Sequence, residues 1–160
     1  MSHKVELLKA DLDDELEKLG KLEREFAGVA EKLSLPPEKV PNYDRGAIGY
    51  LMHSFYNLSE NMFQLIARFF ENDLGPKDWH KDLLKRMKLE IPGYRPRVID
   101  EELYRRLDDF RSFRHKFRHS YSFELDWEKE RAVAVKLPET ASLLRTQMAQ
   151  FLESLSLLKT

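Results

Sequence analysis

Apolar residues recur at heptad spacing from Val5 to Leu33, with Val5, Leu12, Leu19, Phe26 and Leu33 in one row and Leu8, Leu22 and Val29 in the other. That period stacks both rows on one side of an α-helix, so the chain is predicted to open with a long amphipathic helix. Glu15 interrupts the second row and Leu16 takes over. The stripe is therefore wide enough for packing inside a bundle rather than only in a two-stranded coil. Pro36-Pro37 ends the helix, because proline has no N–H to donate and its ring clashes with the preceding turn.

A turn-like stretch through Pro41, Asn42 and Asp44 leads to a second helix, on which Leu51, Phe55, Leu58, Met62, Leu65, Ile66 and Phe69 form one broad apolar face. It is expected to stop near Asn72 to Gly75. Opposite that face, His53, Asn57, Glu60, Asn61 and Gln64 fall at spacings that bring several of them together. They read either as a solvated face or as the wall of a cleft.

Pro76 to Lys88 suggest a short helix carrying Trp79, Leu83, Leu84 and Met87, and the run Ile91-Pro92-Gly93-Tyr94-Arg95-Pro96 breaks regular structure after it. A third long helix is predicted from near Asp100, its N-cap, through Leu103, Leu107, Phe110, Phe113 and Phe117. Asp126 is a candidate cap for a last helical region running through Leu143, Leu144, Met148, Phe151, Leu152 and Leu155, which Pro138 should kink or split. Ala132-Val133-Ala134-Val135 alternates as a short strand would, although helix is the preferred reading. The expected fold class is all-α, an antiparallel bundle of about four to five main helices. At 160 residues, without a linker rich in Gly or Ser, the chain fits one domain over residues 1–160.

Lys and Arg number 27 against 28 Asp and Glu, so a net charge of -1 gives no global attraction to nucleic acid or to an anionic membrane. Any such attraction has to come from a local patch. The lack of cysteine removes disulfides, thiolate zinc sites and cysteine nucleophiles together and fits a reducing compartment. The start Met1-Ser2-His3-Lys4 runs into acidic, helix-like sequence rather than an apolar leader, and no run of ~18 apolar residues occurs. A cytoplasmic protein with no membrane partner is the expectation.

One segment departs from this balance. From Arg111 to Tyr121 the sequence reads Arg-Ser-Phe-Arg-His-Lys-Phe-Arg-His-Ser-Tyr, which concentrates four Lys or Arg and two His. On a regular helix Phe110, Phe113, Phe117 and Tyr121 share a face, Arg114 flanks it, and His119 lies far round the cylinder. Arg114 and His119 can then meet at one phosphate only if the helix bends or ends, or if a second subunit supplies one of them. The residue types suit metal-free cleavage of a phosphodiester. A histidine with a pKa near ~6.5 exchanges protons near neutrality, and an arginine braces the developing phosphate charge bidentately. In that scheme a ribose 2′-hydroxyl attacks the neighbouring phosphorus, leaving a 2′,3′-cyclic phosphate and a 5′-hydroxyl, which requires RNA. The bland reading is a basic helix end that complements the macrodipole. A metal reading starts from His115 and His119 at i, i+4, but two ligands are insufficient and a third must come from His53, His80 or a distant carboxylate.

The stretch Arg114-His115-Lys116-Phe117-Arg118-His119-Ser120-Tyr121 carries arginine, four residues, histidine, one residue and tyrosine. In this, and in its place at the end of a helix, the chain resembles the HepT-like toxins of the HEPN superfamily. The resemblance implies a helical homodimer whose two motifs face one cleft, with Arg114 and His119 as catalytic ribonuclease residues and neither cofactor nor metal. It implies RNA as substrate and a minimal nucleotidyltransferase antitoxin as partner, which silences the toxin by adding AMP to Tyr121. For that modification Tyr121 must reach solvent, so the helix should break between about Arg118 and Tyr121. Glu60 resembles the acidic or polar residue that some relatives direct toward the motif, and Asn57, Arg111, His115 and Arg118 stand with it as supporting or RNA-binding residues. His115 sits where the family often carries a small polar residue, and Trp79 to Pro96 reads as an added elaboration. The alternative is a non-catalytic helical adaptor that partners a nucleotidyltransferase.

Overall fold

The chain is described by a computed structural model over residues 2–70, 79–121 and 124–157. Its helices in order are α1 (Ser2–Ala27), α2 (Asn42–Phe70), α3 (Trp79–Met87), α4 (Glu101–His119), α5 (Trp127–Ala134) and α6 (Leu137–Leu157). The fold is an all-α helical bundle, and among the described residues the only extended pairing is an isolated bridge between Ile91 and Arg95. No helix among these residues is long and apolar enough to cross a membrane.

α1 is shorter than its stripe suggested. It ends at Ala27, and Gly28 leads into a 3₁₀ turn over Ala30–Ser34. Glycine is among the weakest helix formers, and the Gly28 N–H is shared between the carbonyls of Arg24 and Glu25 as the helix tightens and stops. Leu33 is nevertheless buried, so the last heptad position reaches the core from a turn. Asn42 and Asp44 lie within α2 rather than in the turn before it, while the end expected near Asn72 to Gly75 falls outside the described residues.

α2 is the central element and packs against α1, α3, α4 and α5. Side-chain pairings fix the directions. Phe55 meets Phe110 edge to face at 5.0 Å, while Gly49, earlier on α2, lies against Phe117, later on α4, so the two helices run antiparallel. α1 and α6 are antiparallel for the same reason: Lys9 reaches Ser156 and Glu23 reaches Arg145. Phe70 and Phe151 close the core between α2 and α6. Edge-to-face rings of this kind add to the transfer free energy of burying them.

The caps agree with the sequence. Asp100 accepts from the Leu103 N–H at 2.8 Å and starts α4, and Asp126 accepts from Glu128 and Lys129 and starts α5. Pro138 splits the C-terminal region, sitting in the first turn of α6, where no helical N–H is required of it. The strand alternative over Ala132 to Val135 gives way to helix, since α5 runs to Ala134. Between α3 and α4 the chain turns at Gly93, whose φ of +74° suits a residue without Cβ. The buried Arg95 donates there to the carbonyls of Arg86, Leu89 and Pro96. A guanidinium thus satisfies backbone acceptors at and beyond the end of α3.

Candidate active site

The motif depends first on how closely α4 approaches α2. A Cβ at Gly49 would stand 2.6 Å from Cε1 of Phe117, so the glycine makes room for the last turns of α4. Phe110 and Phe113 are buried in that seam, with Phe117 packed against it, as the aromatic stripe predicts.

Arg114 is 4% exposed. Its Nη1 donates to Oε1 of Glu60 at 2.8 Å and to Oδ1 of Asn57 at 2.7 Å, and its Nη2 donates to Oε2 of Glu60 at 3.1 Å. The guanidinium carbon lies 4.8 Å from the ring centre of Tyr56. This is the fork-on-fork geometry in which arginine holds a carboxylate best, stacked on an aromatic face. Glu60 is likewise 4% exposed.

Two histidines flank the pair. Nδ1 of His80 lies 2.6 Å from Oε2 of Glu60 and 3.0 Å from Nη2 of Arg114. A ring nitrogen that donates to the carboxylate cannot also accept from the guanidinium, and the shorter contact assigns the Nδ1 proton to Glu60. On the other side the Asn57 amide bridges Arg114 and His53, with Nδ2 3.0 Å from Nε2 of His53. Burial lowers the His53 pKa, and the charges of Arg114 and Arg118 lower it further. His53 is therefore neutral at pH 7, with Nε2 accepting from Asn57. The same burial pushes the Tyr56 hydroxyl well above its ordinary range.

Outward of this network lies an open cavity of about 370 Å³ lined by His80, Lys81, Arg111, Arg114, His115 and Arg118. Arg111 is paired with Asp108 at 2.8 Å. Against a chain of net charge -1, this is a local concentration of cations suited to phosphate.

α4 ends at His119, and Ser120 is extended with φ -119° and ψ 150°. Tyr121 leaves the line of the helix and is 71% exposed. Its N–H donates to the Glu124 side chain, and the Glu124 N–H donates to its carbonyl, which fixes the turn. His119 is exposed, with its ring 4.7 Å from that of His115.

The fold thus brings Asn57 and Glu60 to Arg114, gathers Arg111, His115 and Arg118 round the same cavity, and turns Tyr121 outward. Within one chain it does not bring His119 to Arg114, because α4 is continuous through both and five residues at ~100° each set them about 140° apart. Of the polar row on α2, Asn61 alone is fully solvated, whereas Glu60 is buried and His53 and Asn57 are half-buried, so this row is a cleft wall. Sequence reasoning missed His80 as part of the motif. No spacing along the chain relates it to Arg114, 34 positions away, and its segment read as an elaboration.

The sequence matches the HepT-like protein family over residues 47–155, more than half of the chain. The protein belongs to the HepT-like family. It matches no curated protein and no solved structure significantly. The matched span contains Glu60, His80, Arg114, His119 and Tyr121, while α1 precedes it.

Proposed function

We propose that this HepT-like protein is a metal-independent endoribonuclease acting as a homodimer, with Arg114 and His119 carrying the reaction. The observation that carries this reading is the buried, fully oriented Arg114 at the wall of a cation-lined cavity. Its fork is held by Glu60 and Asn57 before any ligand arrives, so no reorganisation accompanies the charge that develops on a phosphate in the transition state. His119 on the exposed rim exchanges the proton, and a second copy of the chain supplies it opposite Arg114, since one copy holds the two groups on different sides of α4.

A nucleotidyltransferase partner would reach Tyr121 directly, because the tyrosine is exposed just past the end of the motif helix. An AMP group there adds negative charge beside the cavity and repels the RNA backbone. The test is cleavage of single-stranded RNA in chelator. Arg114→Ala and His119→Ala are expected to abolish it, products are expected to end in cyclic phosphate, and co-expression with a short nucleotidyltransferase should add one adenylyl group to the Tyr121 peptide. An unmodified wild-type protein that leaves every RNA intact refutes the reading.

One observation favours a second reading, a non-catalytic adaptor. Both Oε atoms of Glu60 already hold Arg114, so the arginine also serves as a structural pair between α2 and α4. An adaptor would bind the nucleotidyltransferase with equal affinity whether or not His119 is replaced.

A further inference from the structure

The attack of a 2′-hydroxyl on phosphorus needs two proton transfers, and the nuclease reading proposed above names a histidine for only one of them. Resting on that reading, we propose that His80 is the second: it takes the proton from the 2′-hydroxyl, with Glu60 as its positioning residue and Arg114 beside it on the phosphate.

The geometry is that of a carboxylate and a histidine in series. Glu60 is held by Arg114 through both oxygens, and the Nδ1–H of His80 points at Oε2 across 2.6 Å. A carboxylate so placed fixes the tautomer with its lone pair on Nε2 and stabilises the imidazolium that forms when Nε2 accepts a proton, as in the hydrolase triads. His80 lines the same cavity as Arg114, with side-chain exposure of 35%, whereas His119 does not line it. Among the described residues, those that bond to His80 or line its cavity are Glu60 from α2, Arg111, Arg114, His115 and Arg118 from α4, and Lys81 from its own helix. A phosphate drawn in by these cations meets a base oriented by the same carboxylate that orients its arginine.

The step balances without oxidant, metal or water. The 2′-oxygen gives its proton to Nε2 of His80 as the bond from that oxygen to phosphorus forms. The bond from phosphorus to the 5′-oxygen breaks, and that oxygen takes its proton from His119 of the second copy. The products are a 2′,3′-cyclic phosphate and a 5′-hydroxyl.

The experiment compares wild type, His80→Asn and His80→Ala on a fluorescent single-stranded RNA in chelator across pH, with circular dichroism to confirm helix content. A general base contributes about 100-fold or more. His80→Asn is expected to lower kcat by at least about that factor with KM nearly unchanged, and to remove the acid limb of the kcat/KM profile, because only the neutral imidazole accepts the proton. Added imidazole is expected to restore part of the His80→Ala rate. Wild-type activity in His80→Asn overturns the proposal. So does a slower variant that keeps its acid limb and ignores imidazole, since that pattern belongs to a structural residue. In both cases wild type still cleaves RNA and the nuclease reading stands. A wild type without activity removes that reading and the role of His80 together.

Discussion

Glu60 and Glu130 are both buried glutamates, at 4% and 2% exposure, yet their surroundings are opposite. Glu60 accepts from Arg114 with both oxygens and from His80, all within 3.1 Å. Glu130, on α5, has an Oε2 with no hydrogen-bond partner among the described residues, and Arg45, whose charge acts on it, donates through Nε and Nη2 to the carbonyls of Val40 and Pro37. Burial therefore pushes the Glu130 carboxyl up to about 8, against the weaker pull of Arg45. Depth alone does not decide what a buried carboxyl does. The partner it meets there makes one a cross-helix tie at the site and the other an acid that keeps its proton near neutrality.

The largest effect should come from breaking the paired side. Glu60→Gln leaves a guanidinium buried without its counter-charge, and urea unfolding is expected to show a loss of about 3 kcal/mol. Replacing both partners, with Glu60→Leu and Arg114→Met together, should recover most of that stability while removing RNA cleavage. A double variant as unstable as the single one would mean that the ion pair itself holds the seam.

The unpaired side should respond with the opposite sign. The folded protein keeps a proton on Glu130 that the unfolded chain releases above 4.5, so this residue's contribution is fully present below that pH and is lost as pH rises through about 8. Glu130→Gln is expected to be more stable than wild type at pH 8, with the advantage gone near pH 4.5. Melting temperatures at the two pH values decide it, and an advantage of equal size at both would trace to something other than the proton.

Gly49→Ala probes the seam that carries Arg114. The new methyl displaces Phe117, and overpacking costs about 1–3 kcal/mol against a gain in helix propensity of about 1 kcal/mol. A net loss of roughly 1 kcal/mol is expected in urea unfolding. The smallest effect belongs to His53, whose lowered pKa makes it a source of stability above its ordinary 6.5 that is lost as pH falls. His53→Gln should flatten the stability profile below about pH 6.5 without changing it at pH 8. An unchanged slope in calorimetry would show that His53 is not the titrating group.

Much of this protein was legible in the chain itself. The heptad rows of α1, the caps at Asp100 and Asp126 and the split at Pro138 follow from local rules of period, capping and backbone sterics, which act over a few residues, whereas the end of α4 before Tyr121 was implied by the family resemblance. The motif arginine, histidine and tyrosine were found by their spacing along the chain, through the resemblance it carries. Of their surroundings, Glu60 and Asn57 were expected only through the family resemblance and His80 not at all, because a period tells which side of its own helix a residue occupies and nothing of which residue waits opposite. Glu60 meets Arg114 across 54 positions and His80 meets Arg114 across 34, and no local rule spans such distances. Only the packing of α3 and α4 on α2 turned a polar row into a cleft wall and made His80 part of the site, just as only the seating of α5 left a Glu130 oxygen unsatisfied in the interior.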